Sequence, residues 1–251
     1  MSYDTQKFKL LENKRIADGI FSWTVENKEL SGIAECGQFV NIKVPGRVLR
    51  RPISICDASE STLRLVFQVK GEGTKIMSEM KSGDEVEILA PLGHGFEIES
   101  GKRYCFVGGG IGVPPLLFAA KQTDNPLVIT GFRNKNLIIL QDEFKSIGSE
   151  LYLTTDDGSC GIHGFVTDIL KEHLNEVDEV CACGPMPMLK AVAAVCKDKI
   201  RCQVSLEERM GCGIGACLVC SCKTKVGDDA VMTQVCRRGP VYDAEEVFFG
   251  G

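Results

Sequence analysis

The sequence predicts a β barrel plus an α/β domain, closed by a small metal-stapled module, and three observations carry that reading. From Phe8 to about Pro91 short apolar or alternating runs, among them Phe39–Val44, Leu63–Val69 and Val86–Leu89, are broken by Gly, Pro, Asn and Asp, the pattern of a small antiparallel barrel. From Arg103 onward the pattern becomes strand, glycine-rich turn, apolar helix. From Glu207 to Gly251 five cysteines and seven glycines share a stretch with little helical periodicity. Expected domains are therefore 1–97 (barrel), 98–206 (nucleotide-type α/β) and 207–251 (cysteine module).

Within the barrel, a helix is expected over Thr74–Met80, with Thr74 as its N-cap and Ser82-Gly83 ending it. The second unit places strands at Tyr104–Val107, Leu127–Thr130, Leu151–Thr154, Glu179–Ala182 and Gln203–Leu206. Helices fall between them, one opened by Pro114-Pro115, then Val166–Leu174 and Met186–Cys196. That βαβ rhythm predicts a doubly wound parallel sheet.

Composition narrows the function. A chain of 251 residues with 44% hydrophobic residues can build real cores, and its net charge of −5, with scattered basic residues, argues against nucleic acid. Behind Met1 there is no apolar leader, and no run reaches the ~18 residues of a membrane span, so a cytoplasmic protein is expected. Thirteen cysteines in such a chain point to reduced thiols and metal ligation.

Cys212-Gly-Ile-Gly-Ala-Cys217-Leu-Val-Cys220, with Cys236 further on, has the C-x4-C-x2-C spacing of plant-type 2Fe-2S proteins. Gly213, Gly215 and Ala216 let the backbone curl around a cluster and aim N–H groups at sulfur. A four-cysteine zinc site is the competing reading, but it ordinarily uses two C-x2-C knuckles, and only one is present. Cys222 is read as structural.

Three segments are candidate nucleotide contacts. Gly108-Gly109-Gly110-Ile111-Gly112 lies between a strand and a helix, where a pyrophosphate can approach backbone N–H groups, although Val113 stands where the GxGxxG fingerprint needs its last glycine. Arg51-Pro52-Ile53-Ser54 offers a cation to a phosphate. Val69 and Lys70 lead into Gly71-Glu72-Gly73-Thr74, an anion seat before a helix. Taken singly, the glycine-rich turn is as readily structural as functional, and the other two more often read as a solvated strand residue and a plain turn.

In order along the chain, Arg-Pro-x-Ser, the glycine-rich turn ending in proline, and Cys183-Gly184-Pro185 together resemble the ferredoxin reductase superfamily. Glu207-Glu208-Arg209-Met210-Gly211-Cys212 and Cys236-Arg-Arg-Gly-Pro240-Val resemble one branch of it, the electron-transfer subunits of two-subunit, NAD-dependent dihydroorotate dehydrogenases. That resemblance implies FAD in the barrel, with Arg51, Pro52, Ile53, Ser54, Val69, Lys70, Gly71, Gly73 and Thr74 around it. It implies NAD over Gly108, Gly109, Gly110 and Gly112, with Cys183 and Gly184 facing the nicotinamide. It also implies a 2Fe-2S cluster on Cys212, Cys217, Cys220 and Cys236, and no general acid, base or nucleophile in this chain. The implied partner is an FMN-containing catalytic subunit, two of each chain forming a heterotetramer in pyrimidine biosynthesis. Electrons would flow from that FMN to NAD. Asp156 and Asp157 at the adenosine side would favour NAD over NADP, while Arg133 pulls the other way.

A second reading within the superfamily is the small subunit of an NADH-dependent ferredoxin:NADP oxidoreductase or sulfide dehydrogenase. One from another class is a zinc-binding interaction module without redox chemistry. His94, His163 and His173 show no mutual ligand spacing and are read as surface or loop residues, and Phe248 and Phe249 as packing, with a cover over a flavin or a partner as the alternative.

Overall fold

The computed structural model describes residues 5–227 and 229–249. Met1–Asp4, on which the expectation of no apolar leader partly rests, lie outside them. Strands β1 (Thr5–Ala17), β2 (Ile20–Glu26), β3 (Phe39–Ile42), β4 (Arg51–Ala58), β5 (Thr62–Gln68) and β6 (Glu85–Leu92) close a barrel in the order β1-β2-β5-β4-β3-β6. Every neighbouring pair in it is antiparallel. Helix α1 (Lys28–Ser31) follows β2, and α2 (Glu72–Glu79) bridges β5 and β6.

The interior is filled by alternate residues of each strand, including Val40, Ile42, Ile55, Leu65 and Phe67. Trp23 is wholly buried among them and meets the Phe67 ring edge-on at 5.3 Å and 84°. The start of α2 differs from expectation. Gly71 is its N-cap and Thr74 sits three residues in, its Oγ1 accepting from the N–H groups of Lys70 (2.9 Å) and Gly71 (3.2 Å). The threonine thus reaches back to the entering chain as the second half of a capping box. A sequence scan cannot separate these two positions when glycine precedes.

The second unit follows in chain order as β7 (Tyr104–Gly109), α3 (Pro114–Ala120), β8 (Leu127–Phe132), α4 (Gln141–Ser146), β9 (Glu150–Thr155), β10 (Ile162–His163), α5 (Val166–His173), β11 (Glu179–Cys183), α6 (Met186–Cys196) and β12 (Arg201–Ser205). The tail adds a hairpin, β13 (Ser221–Val226) and β14 (Asp229–Gln234), then α7 (Val235–Arg238) and β15 (Val241–Asp243). The large sheet runs β10-β9-β8-β7-β11-β12-β15, parallel throughout except for β15.

Strand alternation sends Tyr104 and Phe106 to the face covered by α3 and α4, and Cys105 and Val107 to the face covered by α5 and α6. The sheet is therefore doubly wound, as expected. Its strand order reverses between β7 and β11, where such folds open a crevice at the carboxyl ends of the strands. The last strand was not legible. β15 comes from the cysteine module and pairs antiparallel with β12, Val204 opposite Tyr242, so the tail completes the edge of the preceding unit's sheet.

At the opposite end of the strands, Arg201 joins three segments. Its guanidinium meets Glu97 at 2.6 Å, the buried Glu179 at 3.2 Å and Asp243 of β15 at 3.3 Å. Hydrogen bonding to Glu97 and the carboxylates around it hold its pKa above the ordinary arginine range. Among the described residues no helix is long and apolar enough to cross a membrane.

Because Trp23 has no exposed surface, Trp23→Ala should lower the unfolding free energy by about 3–5 kcal/mol, read as a reduced urea midpoint at unchanged m-value.

Candidate functional site

The cysteine loop is shaped by backbone more than by side chains. Gly213 (φ 77°) and Gly215 (φ 83°) turn the chain through the left-handed region, which glycine enters without steric cost. The turn aims successive N–H groups inward. Ile214 and Ala216 donate to Cys212 Sγ at 3.4 and 3.2 Å, and Gly215 donates to Cys236 Sγ at 3.0 Å. Cys212 N–H reaches Cys217 Sγ at 3.4 Å, and Cys236 N–H reaches Cys220 Sγ at 3.5 Å. Cys236 is delivered by α7, which follows β14 directly.

The sulfurs form two pairs of different character. Burial pushes the Cys212 thiol up, but the Ile214 N–H, the Cys217 thiol and the Ala216 N–H more than offset it and bring the pKa down to about 7. In the other pair, burial and then the Cys220 thiol push Cys236 up to about 12. Cys220 and Cys236 are buried, Cys212 is partly covered and Cys217 is exposed. Among the described residues no three of these sulfurs fall within 4.8 Å of one another. A single tetrahedral zinc ion, with Zn–S of about 2.3 Å, would gather all four within about 3.8 Å. Two pairs, each with amide donors on its sulfurs, fit a binuclear iron centre better.

Cys222 is apart from them. On β13 its sulfur lies 3.7 Å from Thr233 Oγ1 and 4.0 Å from the Tyr242 hydroxyl, which agrees with a structural role.

Beside this loop, barrel, sheet and tail together line one cleft. It is bounded by Arg51, Pro52, Ile53 and Ser54 at the start of β4, by Lys70 and Thr74 at the start of α2, and by Ile111 and Pro115 before and within α3. The tail contributes Glu207, Glu208 and Met210. Arg51 has no carboxylate partner among the described residues. Its Nη1 donates to the carbonyls of Leu49 (2.7 Å) and Arg50 (3.1 Å). The guanidinium lies against Gly73, where a Cβ would come within 2.4 Å of Nε. A cation and a helix start therefore face the same space, the requirements of a phosphate seat.

Of the expected residues, Val69, Gly71 and Gly73 support this wall rather than line it, Val69 through its N–H to Gly19 O at 2.8 Å. The wall also includes Glu207, and Phe39 and Val66, which carry no local signal in the sequence. Glu207 opens to solvent through the cleft mouth, yet burial by the surrounding walls raises its carboxyl pKa, with Lys70 opposing that effect.

The glycine-rich turn and Cys183-Gly184, distant in sequence, meet at the crevice between β7 and β11. A Cβ on Gly112 would lie 2.4 Å from Cys183 O and 2.6 Å from Gly184 Cα, and one on Gly109 would lie 2.5 Å from Met188 Sδ. Gly108 and Gly109 end β7, while Gly110–Gly112 form a 3-10 turn into α3. Cys183 is buried in the core cluster that includes α3, and burial, with Glu207 adding to it, holds its thiol above the usual range.

At the outer strands Phe132 of β8 pairs with Thr155 of β9, which sets Arg133 and Asp156 side by side. Asp156 N–H donates to Phe132 O at 3.0 Å. Asp157 accepts from Ser159 N–H at 2.9 Å, a contact that lowers its pKa. His163 touches the Asp156 carbonyl, and the His94 backbone donates to Gly239 O at 2.7 Å. His173 lies with Glu150 and Glu176, but Arg103 already pairs with both acids. Phe249 packs partly on the core beside α6, whereas Phe248 is 45% exposed under Lys223.

This arrangement recurs in known proteins. Over 247 residues the chain is 44% identical to a protein of Caldanaerobacter subterraneus subsp. tengcongensis described as dihydroorotate dehydrogenase B (NAD(+)), electron transfer subunit, covering 97% of this chain and 98% of that one. The chain belongs to that family. A similarly described protein of Clostridium perfringens is 41% identical, covering 99% of this chain and all of the other. Residues 207–248 match the model for the iron-sulfur cluster binding domain of dihydroorotate dehydrogenase B.

Among solved structures, an NADH-dependent reduced ferredoxin-NADP oxidoreductase superposes with a TM-score of 0.86 at 31% identity, over 96% of this chain and 90% of that one. A ferredoxin NADP+ reductase from Neisseria gonorrhoeae gives 0.65 at 16% identity, over 78% of this chain and 92% of that one, a likeness of fold alone.

A methyl group at Gly112 would separate the turn from the end of β11. Gly112→Ala should raise the Kd for NADH at least about tenfold, roughly 1.4 kcal/mol, in a fluorescence titration, with flavin content unchanged.

Proposed function

We propose that this chain passes electrons between NAD(H), FAD and a 2Fe-2S cluster, and through the cluster to or from an FMN-containing subunit that interconverts dihydroorotate and orotate. The observation that carries this reading is the junction of three units at one cleft: the barrel supplies Arg51 and Ser54, the sheet supplies the turn at Ile111, and the chain leaving the cleft at Met210 runs directly into Cys212. FAD, when bound, supplies exchange of two electrons with a nicotinamide and of single electrons with an iron-sulfur centre.

The residues do the positioning. Arg51 and the start of α2 would neutralise and seat the FAD pyrophosphate, Ser54 and Lys70 would face its ring system, and Ile111 and Pro115 would separate that ring from bulk water. Backbone at Gly108–Gly112 and Gly184 would take the NAD pyrophosphate and nicotinamide, with Asp156 and Asp157 disfavouring a 2'-phosphate. Cys212, Cys217, Cys220 and Cys236 would ligate iron, and the N–H groups of Ile214, Gly215 and Ala216 would temper the charge on their sulfurs. We further propose that two copies of this chain assemble with two copies of the catalytic subunit into a heterotetramer in the cytoplasm.

The ferredoxin-NADP oxidoreductase similarity keeps a second reading in view, since that structure matches at 31% identity. The two are separated by reconstitution. Combined with the FMN-containing catalytic subunit, the chain should support NAD reduction by dihydroorotate, and absence of that coupling with both cofactors loaded would overturn the assignment.

Two variants test the roles. Arg51→Ala should weaken FAD binding by about 10-fold to 100-fold, as expected for one charge-assisted contact of roughly 1.5–3 kcal/mol, measured by flavin release on dilution. Cys217→Ser should abolish or strongly reduce the EPR signal of the dithionite-reduced chain while FAD remains bound.

A further inference from the structure

We propose that Asn41 is a positioning residue that sets the reduction potential of the iron-sulfur centre from within the flavin barrel; this rests on the functional reading above. Asn41 lies on β3 and has no exposed surface. Its neighbours Val40 and Ile42 point into the barrel, so Asn41 and Phe39 point outward, toward the tail. Phe39 lines the cleft. Two residues further along the same face, the Asn41 amide meets the cysteine loop.

The contact is specific in both directions. Asn41 Nδ2 donates to the carbonyl of Cys212 at 3.3 Å across 171 residues of sequence. The next residue is seated directly on the amide, since a Cβ on Gly213 would lie 2.6 Å from Asn41 Nδ2. Cys212 and Gly213 begin the turn that presents the N–H groups of Ile214 and Ala216 to Cys212 Sγ. The amide thus fixes the carbonyl at one end of the turn while those N–H groups point to sulfur at the other.

Asn41 also keeps an unsatisfied group. Among the described residues its Oδ1 is buried without a hydrogen-bond donor. Swapping the two amide atoms would not relieve this, because oxygen would then face the Cys212 carbonyl oxygen. A leucine of similar volume would bury no polar atom, and packing alone would favour it. The amide is explained if its donor is needed. Donors that hold N–H groups onto cluster sulfurs stabilise the reduced, more negative state and raise the potential.

The experiment is an EPR-monitored redox titration of the full chain, loaded with FAD and cluster, comparing wild type with Asn41→Leu, Asn41→Asp and Asn41→Ser. Leu and Asp should lower the midpoint, reducing the ratio of reduced to oxidised cluster at the wild-type midpoint by about threefold to tenfold, tenfold being 59 mV for one electron. Ser, which retains a donor, should fall between them and wild type. Flavin content should not change. Midpoints equal to wild type in Leu and Asp variants that carry full cluster and flavin would overturn the role of Asn41, even if their thermal stability fell. Should Asn41→Leu fail to load, Asn41→Asp and Asn41→Ser decide by the same criterion. A wild-type chain that takes up no iron would instead overturn the functional reading, and this proposal with it.

Discussion

The amide groups that reach the cysteine sulfurs impose the strictest demand on this molecule. A thiolate set can be buried beside a barrel only if backbone dipoles spread its charge, and a backbone N–H can reach Cys212 or Cys236 only where no side chain intervenes. Positive φ at Gly213 and Gly215 meets that demand, and the rest of the tail follows from it. The hairpin β13–β14 and the short α7 carry the chain back so that Cys236 faces Gly215 at 3.0 Å. The barrel accepts the loop because Gly213 presents no Cβ to β3.

Much of this was readable in the residues. The Pro114-Pro115 helix start and the Met186–Cys196 helix stand where the sequence placed them, because proline and apolar periodicity are local signals. The elements that escaped are those whose reason is tertiary. β15 is a short segment in a cysteine-rich tail and exists because β12 offers an edge. β1 extends over Thr5–Ala17 with many exposed residues, held by two barrel neighbours rather than by its own pattern.

The cleft shows the same division. Arg51 and Thr74 carried a chemical signature, a cation in a strand and a hydroxyl near a glycine-led helix. Phe39 and Val66 carried none, for an apolar residue on a strand reads as core whether it faces packing or a cofactor. The meeting of Gly112 with Cys183 needed the strand order, since only the reversal between β7 and β11 brings those turns together.

The return of the tail to the large sheet has a further consequence. Leu206 N–H donates to Pro240 O at 2.9 Å and β12 pairs with β15, so the segment bearing Cys212, Cys217, Cys220 and Cys236 is tied at both ends by protein hydrogen bonds. Many small metal domains lose their fold with the ion, because the ion is their only closure. Here the tail also has closures other than its cysteines, and they lower the entropic cost of closing the loop. The cysteine loop is thereby anchored to the large sheet through backbone contacts that do not involve its four sulfurs.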